Sequence, residues 1–143
     1  MKLFNAGLAA ALACVTSLAL AAQSNDWPEF RGPDGQGHSA AKNAPTEWSA
    51  TKNVKWRTVI AGRGWSSPVL AANRLYLTTA VSESATAPVS LRALCVDADS
   101  GKILWDVEVF RHPPATLTQS LHQKNSLASP TPIARDGLAK LFF

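Results

Sequence analysis

The chain has 143 residues and a formal net charge of +4 at pH 7, from 14 Lys and Arg against 10 Asp and Glu. Beyond Lys2, the basic residues are scattered singly from Arg31 to Lys140. Nucleic-acid binding typically uses a clustered basic surface, so we expect no nucleic-acid partner.

The first 22 residues have the pattern of an export signal. Lys2 precedes an apolar run from Leu8 to Leu20, and small alanines stand before the polar Gln23. The run is short for a bilayer span, which favours a cleaved signal over a retained membrane anchor. We therefore predict a signal peptide over 1–22, a mature chain over 23–143 without a membrane span, and a periplasmic or secreted location.

The two cysteines have different expected fates. Cys14 ends an Ala-Leu-Ala-Cys stretch, but the apolar run continues past it and Ala11 stands where a lipoprotein signal has Leu, which disfavours a lipid anchor. If Cys14 is removed with the signal, Cys95 has no partner for an internal disulfide. We expect Cys95 to be a small buried hydrophobe.

The region from 31 to 68 contains a turn, a strand and a motif. "RGPDGQG" (31–37) lacks the Lys-Ser/Thr of a phosphate loop and predicts a turn. "KNVKWRTVI" (52–60) alternates, with Val54, Trp56, Thr58 and Ile60 on one face, and predicts a half-buried strand. The motif is "GRGWSSP" (62–68), which follows this strand and contains Arg63 and Trp65.

Residues 91–109 predict a β-hairpin around the turn Asp97 to Lys102. The strand before the turn is apolar on both faces and should be covered on both sides. After the turn, the pattern places Ile103, Trp105, Val107 and Val109 on one face and the acidic Asp106 and Glu108 on the other. We expect Trp56 and Trp105 to be structural wedges.

A calcium loop is the alternative for this turn. Asp97, Asp99 and Glu108 occupy the first, third and twelfth positions of an EF-hand-like loop. Gly101 and Lys102 stand at the fifth and sixth positions, where the motif needs an oxygen ligand and Gly. We therefore interpret the stretch as a plain turn and assign no metal-ligating residue.

Two parts of the sequence recur. Trp56 and Trp105 lie 49 positions apart in similar strands, and Ser67-Pro68 is matched by Ser129-Pro130 at a spacing of 62. Repeats of roughly 40 to 50 residues made of short strands are typical of propeller blades. The sequence therefore predicts an all-β fold, a partial β-propeller of about one and a half four-stranded antiparallel blades with an additional strand before them. We expect an N-terminal fragment of a larger ring.

Few residues outside the predicted strands are candidates for metal binding or catalysis. The loop "RHPPATLTQSLHQKN" (111–125) contains His112 and His122, which are ten apart with no Cys, Asp or Glu beside them, so a solvated linker is favoured over a metal site. Arg63 and Trp65 could line a rim, although Trp65 also fits a wedge. Ser66, Ser67 and the histidines form no local catalytic signature, and we assign no catalytic or cofactor-binding residue.

The stretch "SLRALCVDADSGKILWDVEV", with its Ala-Leu-x-x-x-Asp-x-x-Ser-Gly-Lys-x-x-Trp pattern, resembles the repeat of PQQ-like β-propeller proteins. "WPEFRGPDGQG" and "VKWRTVIAGRGWSSPV" resemble the N-terminal segments of secreted bacterial members. The resemblance spans about residues 27 to 132. It implies either of two functions, because the family includes both non-catalytic propellers, such as an outer-membrane assembly lipoprotein, and quinoprotein alcohol dehydrogenases.

From this resemblance, we expect an exported, non-catalytic β-propeller scaffold whose rim loops bind a protein or glycan partner. No cofactor is expected within these residues. The alternative is the N-terminal part of a quinoprotein dehydrogenase, which would use pyrroloquinoline quinone and calcium. Such enzymes have adjacent cysteines and an acidic calcium site, and this stretch contains no Cys-Cys pair.

Overall fold

The computed structural model describes residues 25–84, 86–113 and 124–143. Within them the chain forms six strands and no helix: β1 (Val69–Ala71), β2 (Arg74–Val81), β3 (Val89–Asp97), β4 (Ile103–His112), β5 (Ile133–Arg135) and β6 (Leu138–Lys140). β1 to β4 form one antiparallel sheet in sequence order, and β5 pairs with β6 in a second sheet. The all-β prediction is confirmed. The predicted signal over 1–22 lies outside the described residues, among which no helix could cross a membrane.

The β1–β2 and β5–β6 hairpins have the same tight turn. Ala72 and Asn73 have φ of 48° and 62°, and Asp136 and Gly137 have φ of 54° and 75°. Two consecutive residues with positive φ define the type I′ turn, whose twist matches that of the paired strands. The two hairpins are therefore structural repeats of each other.

The hairpins correct the spacing predicted for this repeat. Their turns and strands superimpose at a separation of 64 residues, so Ser67-Pro68 is equivalent to Thr131-Pro132 and not to Ser129-Pro130. The two equivalent segments also touch, since the Ser67 backbone N–H donates to Thr131 Oγ1 across the same separation of 64 at 3.1 Å. The prediction of 62 was wrong because Ser-Pro recurs by chance two residues before the true match.

β3 forms the centre of the core. Leu91, Ala93, Leu94, Cys95 and Val96 are each at most 4% exposed, although neighbouring residues of a strand point to opposite faces. The prediction that this strand is covered on both sides is confirmed. Burying the apolar side chains on both faces of β3 stabilises the sheet by removing their surface from water.

The predicted turn after β3 is present and is stabilised by hydrogen bonds of its own side chains. Asp97 Oδ1 accepts bonds from Ser100 N–H at 2.8 Å and from Ser100 Oγ at 2.7 Å. Gly101 has φ of 72° and donates its N–H to Asp97 O at 2.8 Å. The two bonds from Ser100 lower the pKa of Asp97, the side-chain bond having the largest effect.

Two bulges change the predicted faces of β4. Val96 pairs with Ile103 but Cys95 pairs with Trp105, which leaves Leu104 as an extra residue, and a second register shift leaves Val109 unpaired. Each extra residue reverses the alternation of side chains. Ile103 is therefore placed on the face opposite to Trp105 and Val107, and the expected stripe through Val109 is broken.

Residues 52–60 were predicted as a strand, and this is wrong for the structure: Lys52 makes only an isolated bridge with Ser49, and 54–60 have no ladder partner. It lies instead against the β3–β4 turn, where Trp56 Nε1 donates to Ala98 O at 2.9 Å and Thr58 Oγ1 donates to Gly101 O at 2.5 Å. Trp56, Thr58 and Ile60 are half-buried but Val54 is 45% exposed, so only part of the expected inward face is kept, and without a sheet.

An N-terminal segment joins the two sheets. Trp27 exchanges both backbone hydrogen bonds with Leu70 of β1, and Ala134 N–H of β5 donates to Pro28 O at 2.8 Å. Farther along, the Trp65 and Ser66 N–H groups both donate to Ala128 O, at 3.1 and 3.2 Å. The first hairpin is thus held beside its repeat by backbone bonds.

Candidate functional site

A groove of about 650 Å³ lies between the two hairpins and the segment that joins them. Its volume is in the range typical of small-ligand sites. Both turns and the start of the N-terminal segment contribute its walls: Asp26, Pro28, Pro33, Ala71, Ala72, Arg74, Tyr76, Ala134, Arg135, Asp136, Gly137 and Leu138. The groove exists because the segment containing Trp27 and Pro28 is bonded to both hairpins and holds them side by side.

Four charged side chains line this groove, and they differ in how they are bonded. Arg135 Nη2 pairs with Glu29 Oε1 at 2.7 Å, and Asp26 Oδ1 accepts the Ala72 N–H at 3.0 Å. Arg74 and Asp136 make no side-chain hydrogen bond or ion pair with the part of the chain that the structure describes. A ligand in the groove would therefore meet a guanidinium donor and carboxylate acceptors beside the ring of Tyr76.

A second polar group lies near the opposite end of the first sheet, around Glu108. Its carboxylate accepts bonds from Ser90 Oγ at 2.5 Å and from Arg111 Nη2 at 2.6 Å, and Arg92 Nε pairs with Asp106 at 2.7 Å. The bond from Arg111 is the main reason that the pKa of Glu108 is lowered, and the same bond raises the pKa of Arg111. The side chains of this group are hydrogen-bonded to one another, as expected of a structural network.

The three carboxylates considered as calcium ligands each bond different partners. Asp97 closes the β3–β4 turn, while Asp99 accepts bonds from Lys55 Nζ at 2.6 Å and Asn73 Nδ2 at 2.9 Å. The bond from Lys55 is the first cause of the lowered pKa of Asp99. Glu108 lies on β4 in the network with Arg111, so the three carboxylates do not converge.

The other residues considered from the sequence are spread over the molecule. His112 ends β4, with Nδ1 2.8 Å from Pro113 O, and His122 lies outside the described residues. Trp65 is 62% exposed, which contradicts a wedge role in the described structure. Ser66 Oγ lies 3.2 Å from Thr78 Oγ1. The interpretation of 31–37 as a turn is confirmed, because Arg31, Gly32, Gly35 and Gly37 have positive φ.

Sequence reasoning missed the groove residues Asp26, Arg74 and Asp136. Arg74 and Asp136 looked like ordinary polar residues at hairpin turns, and Asp26 stood in an unassigned segment. The one sequence signal that could have predicted that the two turns lie side by side is the repeat, aligned at a separation of 64 residues.

The sequence matches no protein-family model, and comparisons with curated proteins and with solved structures found no match.

Proposed function

We propose that these residues form the N-terminal part of an exported β-propeller that binds a protein or glycan partner and performs no catalysis itself. The observation that carries the proposal is the groove between the two repeated hairpins, where the side chains of Arg74 and Asp136 make no hydrogen bond or ion pair with the described residues. Binding residues are concentrated at loops and turns that a rigid sheet scaffold positions. The groove supplies a donor fork and acceptors, which suits ligands rich in hydroxyl or amide groups.

A comparison of variants tests this proposal. Mature protein is screened against immobilised glycans and against candidate exported proteins, and Arg74→Ala and Asp136→Asn are compared with Lys42→Ala, an exposed residue outside the groove. We expect saturable binding that falls at least tenfold in the groove variants and is unchanged in Lys42→Ala. Equal binding by all variants would exclude the groove as the site.

An activity assay separates binding from catalysis. We expect the protein with added pyrroloquinoline quinone and calcium to give no cofactor-dependent reduction of a dye with alcohols. Robust turnover would replace the proposal with the quinoprotein dehydrogenase alternative.

A further inference from the structure

A second cavity, of about 500 Å³, adjoins the groove. Asp26 and Pro33 line both cavities, so the two meet at these residues. Asn25, Trp27 and His38 line only the second cavity. We call the groove and the second cavity together the cleft. Each of its two compartments is in the size range of a small-ligand site.

Each compartment of the cleft has one aromatic side chain in its wall. Tyr76 lines the groove and Trp27 lines the second cavity, and both are half-buried. The Tyr76 ring packs against Trp105, with 6.1 Å between the ring centroids. The Trp27 indole lies so close to Gly32 that a Cβ there would be 2.8 Å from it. Two aromatic rings are therefore held in fixed positions, one in each compartment.

Four polar side chains beside these rings make no hydrogen bond or ion pair with the described residues. They are Arg74 and Asp136 in the groove and Asn25 and His38 in the second cavity. Between the compartments, Asp26 Oδ1 accepts a backbone N–H at 3.0 Å, which fixes this carboxylate and leaves its second oxygen able to accept from a ligand. The cleft thus offers donors and acceptors along its whole length.

The charges of the cleft favour a neutral ligand. Two arginines and two aspartates line the groove, and Arg135 is already paired with Glu29 at 2.7 Å. Among the described residues that line the second cavity, none is Lys or Arg. Phosphate and carboxylate ligands are typically bound by unpaired cationic donors. Here Arg74 alone lies with two aspartates, so an anionic ligand would meet no excess of positive charge.

The backbone beside the cleft disfavours an extended peptide. Such a peptide binds by pairing its backbone with an exposed strand edge. The N–H groups of Trp27, Ala72 and Ala134 already donate within the protein, at 2.7, 3.0 and 2.8 Å. These donors are not free to pair with a ligand strand. Recognition in the cleft therefore depends on side chains.

We propose that the cleft binds a neutral, unbranched oligosaccharide of at least two pyranose units. A pyranose has C–H groups on its ring faces, which the negative face of an aromatic ring attracts, so one unit stacks on Tyr76 and another on Trp27. Hydroxyls at the rim of the sugar bond Asp136 in the groove and His38 in the second cavity, and Asp26 accepts between them. This inference rests on the function proposed for the groove and narrows its ligand to one class of glycan.

The length and charge of the sugar provide the first test. Binding to the mature protein is measured by calorimetry with the gluco-oligosaccharides of the cello and malto series and with N-acetylglucosamine oligosaccharides, each at one, two and four units. We expect at least one series to bind, with a Kd for four units at least tenfold below that for one unit, because a single unit occupies only one compartment. Oligogalacturonates, which carry a carboxylate on each ring, should bind more weakly.

Variants and NMR spectra test whether both compartments take part. Asp136→Asn and His38→Ala remove no hydrogen bond within the described residues, and each should weaken binding of the four-unit sugar at least fivefold. Glu83→Gln, beyond the far end of β2, is the control and should bind normally. The four-unit sugar should shift the ring signals of Tyr76, the single tyrosine of the chain, and the indole signal of Trp27, which is assigned by its loss in Trp27→Phe.

The outcomes distinguish this inference from the function on which it rests. Binding that does not increase with length in any neutral series, tighter binding of oligogalacturonates, normal binding by His38→Ala or shifts confined to one ring would each overturn the inference. If an exported protein binds through Arg74 while no sugar binds, the function proposed for the groove stands and the inference falls. If neither proteins nor sugars bind, both are wrong.

Discussion

The rings of Tyr76 and Trp105 lie 6.1 Å apart, tilted by 46°, on either side of Cys95, the β3 residue with which both are paired. β2 and β4 are separated by β3, so their backbones are about 10 Å apart. The two rings must therefore lean toward each other over the central strand. This arrangement accounts for the complete burial of Cys95, which is 0% exposed.

Removal of one ring should open Cys95 to solvent. Burial raises the pKa of the Cys95 thiol, so we expect slow reaction with a thiol reagent in the unaltered protein. Trp105→Ala should speed this labelling at least tenfold and cost about 2 kcal/mol, less than the ~3–5 kcal/mol of a fully buried Trp. Trp48→Ala is the control, because Trp48 is 72% exposed. Equal labelling rates in all three proteins would contradict the covering role of Trp105.

A methyl group at Gly101 should displace Trp56. Gly101 combines φ of 72° with a position where Cβ would lie 2.5 Å from the indole. Gly35 has a similar φ of 69° but open space around it, so Gly35→Ala is a matched control that pays only the backbone cost of about 1 kcal/mol. We expect Gly101→Ala to cost more and to shift the Trp56 indole resonance in NMR spectra. An unchanged resonance would exclude the contact.

The network around Glu108 predicts sensitivity to acid. The pKa of Glu108 is lowered in the folded protein from its ordinary value of 4.5, mainly by the bond from Arg111. Its stabilising contribution is therefore complete above that value and is lost as the pH falls through the lower folded-state pKa. Amide exchange across β3 and β4 should accelerate over this range. Glu108→Gln should flatten the dependence, while Glu47→Gln, whose carboxylate pairs with Lys52 away from β3 and β4, should leave it intact.

The turn between β1 and β2 can be stabilised by one substitution. Ala72 holds φ of 48°, a left-handed conformation that Ala adopts poorly and Asn adopts readily. The equivalent position in the second hairpin is already Asp136, a favoured residue for this turn. Ala72→Asn should therefore stabilise the hairpin by about 0.5 to 1 kcal/mol. Slower amide exchange in β1 and β2 would support this prediction, and faster exchange would contradict the turn assignment.

Local patterns in the sequence were sufficient for the β3–β4 hairpin and its turn. The Asp97 and Ser100 side chains bond backbone within a few residues, and the apolar run of β3 needs cover on both sides wherever it lies. The turn at 31–37 was equally predictable, because positive φ at glycine is a local property. The two turns depend on interactions between residues that are near in sequence, and the apolar run of β3 shows only that other elements must cover it.

Tertiary structure alone decided the rest. The bulges at Leu104 and Val109 arise from pairing with β3, so alternation in β4 by itself assigned Ile103 to the wrong face. Residues 54–60 have strand-like alternation, but a strand also needs a ladder partner, and here the Trp56 indole is bound by a turn 42 residues away. The groove combines Asp26, Arg74 and Asp136 through contacts between hairpins 64 residues apart. Such long-range pairings depend on how whole strands dock, which no local pattern of side chains specifies.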